Sequence, residues 1–460
     1  MALLHDNTVS PRDDRRIRGK MLREAVPRES HAEWKPAADR PDPVDMLEQG
    51  NIGRIQHLIP IRYGRMLQTP FTFFRGAAAL MARDLAKTPN SKVRVQACGD
   101  CHLMNFGAFA TPERNVVFDL NDFDETLPAP WEWDIKRLAT SYVLACRDNG
   151  LKQKTEIAAA ESVAQGYREK MASMSKLSIM DIWYEQIPWE SIIAKTGDAD
   201  LMKRRQEQLK KAKKRTIQLY YYPKLVESGG GKYKIKDNPP LIFHPPEVEN
   251  DVFLEKIKGS LQEYRNTLQW DKQRLFDRYK LVDFAIKVVG IGSVGTTCGI
   301  LLFIGPDDDP LLLQVKEARP SVLEPYVGKS AFQNNGERVV AGQRIVQAAS
   351  DIFLGWTRSD EGKDFYVRQL RDTKVKLEPQ FWDAKEMVAA AKLMGEVLAR
   401  SHARSGDAAV ISGYLGNGAE FDRAIGQFSV VYADQSEKDF NALAAAVESG
   451  RVSAVKVEAT

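Results

Sequence analysis

Cysteine is scarce: the 460 residues hold four, Cys98, Cys101, Cys146 and Cys298. So few scattered thiols cannot staple a disulfide scaffold, and the single close pair finds no second pair with which to close a zinc site. Long apolar runs are missing as well, which excludes a helical membrane span. Charge of one sign is not in excess: at a net +4, electrostatics alone demand neither nucleic acid nor a membrane surface. The first residues, Met1 to Asp6, lack the charged-then-apolar layout of a secretory signal. With the cysteine count, this predicts a reduced, cytoplasmic chain. Hydrophobic residues at 43% and charged residues at 28% suffice for a large globular core.

What is present divides the chain into four parts. Residues 1–45 are polar, carry Pro11, Pro27, Pro36, Pro41 and Pro43, and read as a poorly ordered arm. Residues 46–280 contain a helical pattern over Ala77–Ala86, an alternating run over Lys92–Ala97 that leads to Gly99-Asp100, a short apolar run over Asn115–Leu120, and a helix from Trp133 to about Asn149. The stretch from 150 to 280 is mainly helical and charged, interrupted by Gly229-Gly-Gly231, Pro239-Pro240 and Pro245-Pro246. Residues 281–372 change character: a strand over Asp283–Val289, the glycine loop Gly290-Ile-Gly-Ser-Val-Gly295, a strand over Cys298–Ile304, a tight turn, and a strand around Lys316. A helix from about Glu337 to Ser350 and a strand over Phe365–Leu370 follow. Helices dominate 373–460, among them Ala391–Ala403.

The residues Cys98-Gly-Asp-Cys-His-Leu-Met-Asn-Phe-Gly107 admit two chemistries. Cys98, Cys101 and His102 spell CxxCH, the attachment pattern of c-type haem. That chemistry belongs to exported proteins, and Met104 is too near in sequence to reach the opposite haem face. A CxxC thiol-redox site is the neighbouring alternative. The other chemistry is phosphoryl transfer. It needs a carboxylate beside the acceptor hydroxyl and oxygen ligands that hold Mg²⁺ against the phosphates of ATP. Asp100 would be the base, with Asn105 and Asp122 as metal ligands; Asp124 is a further candidate ligand. A lone Asp most often is solvated or caps a helix, so the weight lies in two extended runs that each deliver an acidic group to a turn.

The glycine loop with Gly290, Gly292 and Gly295 is equally compatible with a bulged hairpin. It is followed by a strand rather than a helix, which argues against a dinucleotide turn. The strand after that carries Lys316 in Leu-Gln-Val-Lys-Glu-Ala, much like the strand lysine that reaches nucleotide phosphates in kinases. A lysine snorkelling from a strand edge is the alternative. Its acidic partner stays open among Glu337, Glu317 and the amides Gln343 and Gln347.

Gly99-Asp-Cys-His-Leu-Met-Asn105 resembles the catalytic loop of the aminoglycoside-phosphotransferase and choline-kinase group, and Phe118-Asp-Leu-Asn-Asp-Phe-Asp124 resembles that group's metal-binding strand end. Trp133-Asp-Ile-Lys-Arg-Leu-Ala139 resembles its next helix start, which implies that Asp134 ties this helix to the catalytic loop. More widely, from about Arg62 to Gly450, the chain resembles the bacterial family designated domain of unknown function 2252. The phrases that carry this are Pro70-Phe-Thr-Phe-Phe-Arg-Gly, Asn121-Asp-Phe-Asp-Glu-Thr, Leu313-Gln-Val-Lys-Glu-Ala and Leu398-Ala-Arg-Ser-His-Ala-Arg-Ser-Gly. The resemblance implies an α+β, two-lobed, protein-kinase-like fold. Lys316 follows Asp100 instead of preceding it, so the implied order is circularly permuted. Leu398–His402 resembles the helix that ordinarily enters the catalytic loop; Ala77–Ala86 is the rival. The implied activity is transfer of a phosphoryl group from ATP to an unidentified hydroxyl acceptor, small molecule or protein. A non-catalytic nucleotide-binding scaffold and the thiol-redox protein are the alternatives.

Lys203–Arg215 holds eight basic residues. It reads as a solvated helix face, with contact to RNA, lipid or an acidic substrate as the sharper, less favoured reading. Tyr220-Tyr-Tyr222 would stack on bases or pack in the core. His102 is expected to brace the catalytic loop, and His244 to be a loop residue rather than a ligand.

Overall fold

The computed structural model describes residues 10–214, 222–229, 232–244, 251–288, 290–370, 375 and 377–455. Arg215, Tyr220, Tyr221, Gly230, Gly231, Pro245, Pro246 and Val289 lie outside these residues.

The N-terminal third opens with helices α1 (Arg12–Ala25), α2 (Pro43–Asn51), α3 (Ile59–Met66), α4 (Pro70–Gly76) and α5 (Ala78–Leu85). Thr69 and Thr72 form a reciprocal capping box that, with Pro70 in the first turn, fixes the start of α4. Strands β1 (Arg94–Ala97), β2 (Phe106–Ala110), β3 (Val116–Leu120) and β4 (Leu127–Pro130) make two antiparallel pairs, β1 with β4 and β2 with β3. Helices α6 (Trp131–Asp148), α7 (Gln153–Met174), α8 (Ile179–Tyr184), α9 (Trp189–Ala194) and α10 (Ala199–Lys214) follow.

The middle of the chain holds α11 (Tyr222–Leu225), the hairpin β5 (Val226–Gly229) and β6 (Lys232–Ile235), β7 (Ile242–Phe243), α12 (Asp251–Thr267) and α13 (Trp270–Phe276). Then come β8 (Lys280–Lys287), β9 (Cys298–Ile304), β10 (Pro310–Glu317), α14 (Glu324–Val327), α15 (Asn335–Val346), β11 (Gly355–Arg358) and β12 (Asp364–Gln369). The chain closes with α16 (Ala384–Ala403), α17 (Ala408–Leu415) and α18 (Glu420–Glu448).

Two hydrophobic centres result. Helices α6, α7, α16, α17 and α18 enclose the larger one, and every residue of α6 from Trp131 to Cys146 is buried. Helices α7 and α16 approach so closely that a Cβ on Gly166 would run into the carbonyl of Lys392, and one on Gly395 into that of Val163. The second centre belongs to an antiparallel six-stranded sheet of order β11-β12-β10-β9-β8-β7. Leu301, Phe303, Leu311 and Leu313 face Tyr264 and Phe276 of α12 and α13 on one side, while Ile300, Leu302 and Leu312 face Val226 and Ile235 on the other. Buried on both sides, β9 reads as a continuous apolar run. The molecule is therefore a mixed α+β fold, and among the described residues no helix is long and apolar enough to cross a membrane.

Two sequence expectations change. The polar N-terminal segment is not a loose arm over residues 12–25: α1 lies on α17, with Gly19 against the backbone of Val410 and Arg15 paired to Asp407 at 2.9 Å. Its arginines do what an apolar stripe would otherwise do, because Arg23 and Arg28 donate to the terminal carbonyls of α17 at Gly413, Tyr414 and Leu415. Moreover, the sheet does not begin at 281. Strand β7 pairs with β8, and α12 packs under β11 and β10, so much of 242–280 belongs with the sheet.

Candidate functional site

Two residues beyond β1 stands Gly99, whose φ of 83° suits glycine and whose missing Cβ leaves room for the Glu125 carbonyl. The turn is held from below. Asp134, in the first turn of α6, accepts from the backbone N of Cys98 at 2.6 Å and of Gly99 at 2.9 Å. His402, near the end of α16, contacts Asp134 through Nε2 at 3.1 Å and Tyr167 through Nδ1 at 3.0 Å. Two residues earlier on α16, Arg400 forms a buried ion pair with Asp119 of β3 and donates to the Val346 carbonyl. Leu398–His402 therefore abuts the Asp100 loop in space. Helix α5, the rival, precedes it in sequence and also lies beside it, with Ala78, Ala79 and Leu80 in the wall of the cavity that Asp100 lines.

The β2–β3 register pairs Phe106 with Leu120, which sets Asn105 and Asp122 side by side at the open end of the hairpin. The backbone N of Asn121 donates to the Asn105 carbonyl at 2.8 Å. Asn105 Nδ2 donates to the Asp100 carbonyl at 2.6 Å, so its amide oxygen is not used in that bond. Asp100 is gripped through Oδ1 by Arg137 of α6, at 2.7 Å from Nε and 2.5 Å from Nη2. Burial pushes the Asp100 pKa up to about 7 against the pull of Arg137, with Asp122 and Glu125 adding to the rise. His102 lies 3.9 Å from Asp100 Oδ2, and burial beside Arg75 and Arg137 keeps it well below its ordinary pKa. It is a neutral packing partner of the loop.

Lys316, on the third strand of the β8–β9–β10 meander, is buried and pairs with Asp124 at 2.7 Å. Its partner is thus none of Glu337, Glu317, Gln343 or Gln347. Asp124, placed by sequence among the metal ligands, also accepts from Tyr366 at 2.7 Å and from Ser293 of the glycine loop at 3.2 Å. Burial would raise the pKa of Asp124, but Lys316 and the bond from Tyr366 hold it below the ordinary carboxylate value. Its oxygens are occupied. Among the described residues, Asp122 has only the Asp124 N–H on its carboxylate, at 3.2 Å. Among the described residues no three His, Cys, Asp or Glu side chains cluster as a metal cage. One carboxylate and one amide suit Mg²⁺, which keeps waters and borrows phosphate oxygens.

Two cavities meet at Asn105, Asp122, Gly290 and Ser293. The larger, about 1090 Å³, runs under the sheet past Lys316, Gln314, Arg368, Phe353 and Leu370. The smaller, about 370 Å³, lies beside Asp100 and is walled by Arg54, Arg62, Arg75 and Arg319. The glycine loop forms the roof between them. Gly290 and Gly295 have φ values of 68° and 87°. The loop's carbonyls are held by Arg54 (to Gly292 and Val294, each 2.8 Å), by Arg65 (to Gly290, 2.6 Å) and by the Ile55 N–H (to Gly295, 2.7 Å). Sequence reasoning missed Arg54, Arg62, Arg75, Arg319 and Tyr366. The available signal was a run of arginines between glycines, from Gly53 to Gly76, with no acidic residue among them.

The thiols do not join this chemistry. Cys98 and Cys101 are buried and free, and burial raises the pKa of Cys101 well above its ordinary value. His244 bridges Asp237 and Asp283 at 2.7 and 3.1 Å. The basic helix α10 buries Ala212 and pairs Arg204 with Glu386 and Lys213 with Glu190.

The fold and site define a mixed α+β protein in which an acidic hairpin and a lysine-bearing sheet close on one acidic centre. Over residues 54–446 the chain matches the family described as uncharacterized protein conserved in bacteria (DUF2252), and it belongs to that family. No curated protein and no solved structure matches it.

Proposed function

We propose that this chain is an ATP- and Mg²⁺-dependent phosphotransferase with a circularly permuted, kinase-like arrangement, acting on a hydroxyl acceptor. The observation that carries the reading is the Lys316–Asp124 pair under the glycine loop, with Asp100, Asn105 and Asp122 on the facing hairpin. Two segments separated by some two hundred residues contribute complementary halves of one phosphoryl-transfer site. The junction of α16 with the Asp100 loop through His402 and Asp134 supports the permutation.

On this reading the nucleotide occupies the larger cavity, with Lys316 neutralising its phosphates and the backbone of the glycine loop covering them. Asp122 and Asn105 would hold Mg²⁺, whose charge would offset that on the β- and γ-phosphates. Asp100, its Oδ1 fixed by Arg137, orients the acceptor hydroxyl and takes its proton through Oδ2. A pKa near 7 suits that task. Asp124 positions Lys316 and is not a ligand.

A non-catalytic nucleotide-binding scaffold is the second reading, favoured by the commitment of Asp124 to Lys316. Calorimetry of ATP with and without Mg²⁺, followed by product analysis in a metabolite extract, tests both. Metal-dependent binding with transfer supports the phosphotransferase, binding alone supports the scaffold, and no binding rejects both.

A further inference from the structure

The smaller cavity is charged in a way that orienting a neutral hydroxyl does not require. Three of its four arginines, Arg54, Arg62 and Arg319, are satisfied by neutral oxygens. Arg54 donates to the carbonyls of Gly50, Gly292 and Val294. Arg62 donates to the Asn51 amide oxygen at 2.8 Å and the Gly76 carbonyl at 2.9 Å. Arg319 donates to the carbonyls of Gly50 and Ile52. Such bonds occupy N–H groups and leave the charge uncancelled. The Nε atoms of Arg62 and Arg75 are shielded from solvent and have no hydrogen-bond partner among the described residues.

Of the carboxylates that line the same cavity, Asp100 is paired with Arg137 and Asp124 with Lys316. Glu125 accepts from the Val322 N–H, Glu317 from the Thr297 N–H and Asp122 from the Asp124 N–H; their charges act on Arg54 and Arg75, but among the described residues none forms an ion pair with an arginine of the cavity. The guanidinium groups also crowd one another. Burial, followed by the charges of Arg62 and Arg319, brings Arg54 down to about 9, and burial with Arg319 brings Arg62 down to about 10. Partly desolvated cations with no direct ion-pair partner are costly to hold together, and a bound anion in contact with them offsets that cost. At about 370 Å³, the space suits a small molecule rather than a protein segment.

We propose that this cavity is an acceptor pocket for a small anionic hydroxyl compound, with its phosphate or carboxylate among Arg62, Arg75 and Arg319 and its hydroxyl toward Asp100. The part assigned to Asp100 rests on the phosphotransferase reading, whereas anion binding by the arginines does not. In the transfer step, the acceptor oxygen forms a bond to the γ-phosphorus as the bond from that phosphorus to the ADP oxygen breaks. The hydroxyl proton passes to Asp100 Oδ2.

The test is calorimetry of the full chain with glycerol phosphate, glycerate, glycerol and choline, a charge series on small hydroxyl compounds. Arg75→Ala is the main variant, because Arg75 anchors no neighbouring element by a side-chain hydrogen bond among the described residues. Arg75→Lys is its charge-preserving companion, and Arg368→Gln removes a cation from the larger cavity only. One or both anionic probes should bind at least about ten-fold tighter than glycerol and choline, and Arg75→Ala should remove about that factor. Arg75→Lys should restore part of it, and Arg368→Gln should leave it within about two-fold. Which anion binds separates the phosphate from the carboxylate class. Equal or tighter binding of glycerol or choline overturns the proposal, as does anion binding lost in Arg368→Gln but kept in Arg75→Ala, or no anion binding at all. If the anions bind through Arg75 but ATP does not bind, the phosphotransferase reading fails and the anion site stands.

Discussion

The two cavities that share Asn105 and Asp122 are built on different electrostatic plans. In the larger, Lys316 is matched to Asp124 at 2.7 Å, and Arg368 leans on Gln314 and the Asn121 carbonyl among apolar and amide neighbours. In the smaller, Arg54, Arg62 and Arg319 stand against backbone and amide oxygens; among the described residues Arg75 Nε has no hydrogen-bond partner and none of the four arginines is in an ion pair there. A matched buried pair is poised: a ligand engages it only by replacing one partner's interactions, which favours a highly charged group such as a triphosphate. An unmatched cluster is open to any small anion of the right size. One cavity is thus specified by a residue pair and the other by arginines that no carboxylate pairs with directly.

The sharpest way to break this contrast is to remove the matched lysine. Lys316→Ala strands the Asp124 carboxylate with only Tyr366 and Ser293. Loss of one partner from a buried pair costs about 3–5 kcal/mol, measurable by denaturant unfolding. Mg·ATP affinity should fall with it in calorimetry. The double variant Lys316→Met with Asp124→Asn removes both charges and should recover most of the stability without recovering nucleotide affinity. A Lys316→Ala protein as stable as the parent, with unchanged affinity for Mg·ATP, would show that the pair has neither role.

Next in size is the separation of Asp100, which faces the smaller cavity alone, from Asp122, which faces both. Asp122→Asn should abolish the magnesium dependence of ATP binding, because a neutral amide is a poorer ligand for a hard cation. Asp100→Asn should leave Mg·ATP affinity nearly unchanged and reduce transfer by about 10²–10⁴-fold. A magnesium titration of ATP binding on each variant checks the first, and a transfer assay the second. Equal loss of metal-dependent binding in both variants would mean that the roles are misassigned.

The same contrast marks what the sequence could disclose. Asp100, Asn105 and Asp122 were legible because a local hairpin brings them together, and hairpin register follows from two short runs and a turn. The meander carrying Gly290, Gly295 and Lys316 was legible by alternation and turn chemistry. Asp124 as the lysine's partner was not, since a contact across 192 positions leaves no periodic trace. Nor was the arginine wall, because Arg54, Arg62 and Arg319 are anchored to carbonyls, and carbonyls have no sequence signature. The docking of α1 on α17 was hidden for the same reason: arginines capping a helix end look like the composition of a disordered arm.

A smaller effect concerns pH. Asp100 titrates near 7 in the folded chain, against about 4 when unfolded. Transfer should therefore rise with pH below about 7 and level off above it as the base becomes ionised, and that limb should vanish in Asp100→Asn. The sign for stability is the opposite. A carboxyl whose folded pKa is raised contributes fully below its unfolded value, and that contribution is lost as pH rises through about 7. Unfolding midpoints of the parent and Asp100→Asn across pH 4 to 8, taken from about the unfolded to just above the folded value, should converge at the acid end. A pH–rate profile unchanged by the substitution would remove Asp100 as the base.

The smallest effect is expected at the cysteine pair, which lies within the catalytic-type loop yet belongs to neither cavity's charge plan. Cys98 and Cys101 are buried among apolar side chains. Burial raises the pKa of Cys101 well above its ordinary value, and Cys98 is likewise raised, with Asp134, Asp100 and Asp122 opposing its ionisation. Neither is a ready thiolate, the species that redox exchange requires. The Cys98 Sγ contact to the Asp122 carbonyl at 3.2 Å is a weak donor bond that positions backbone rather than carboxylate. Replacing both by Ala removes little apolar surface, so the loss of stability should be about 1 kcal/mol per site. Mg·ATP affinity and anion binding should stay within about two-fold of the parent, and the purified parent should show no haem absorbance. A Soret band, or activity that tracks thiol oxidation and disappears in the double variant, would reassign the loop from phosphoryl transfer to redox chemistry.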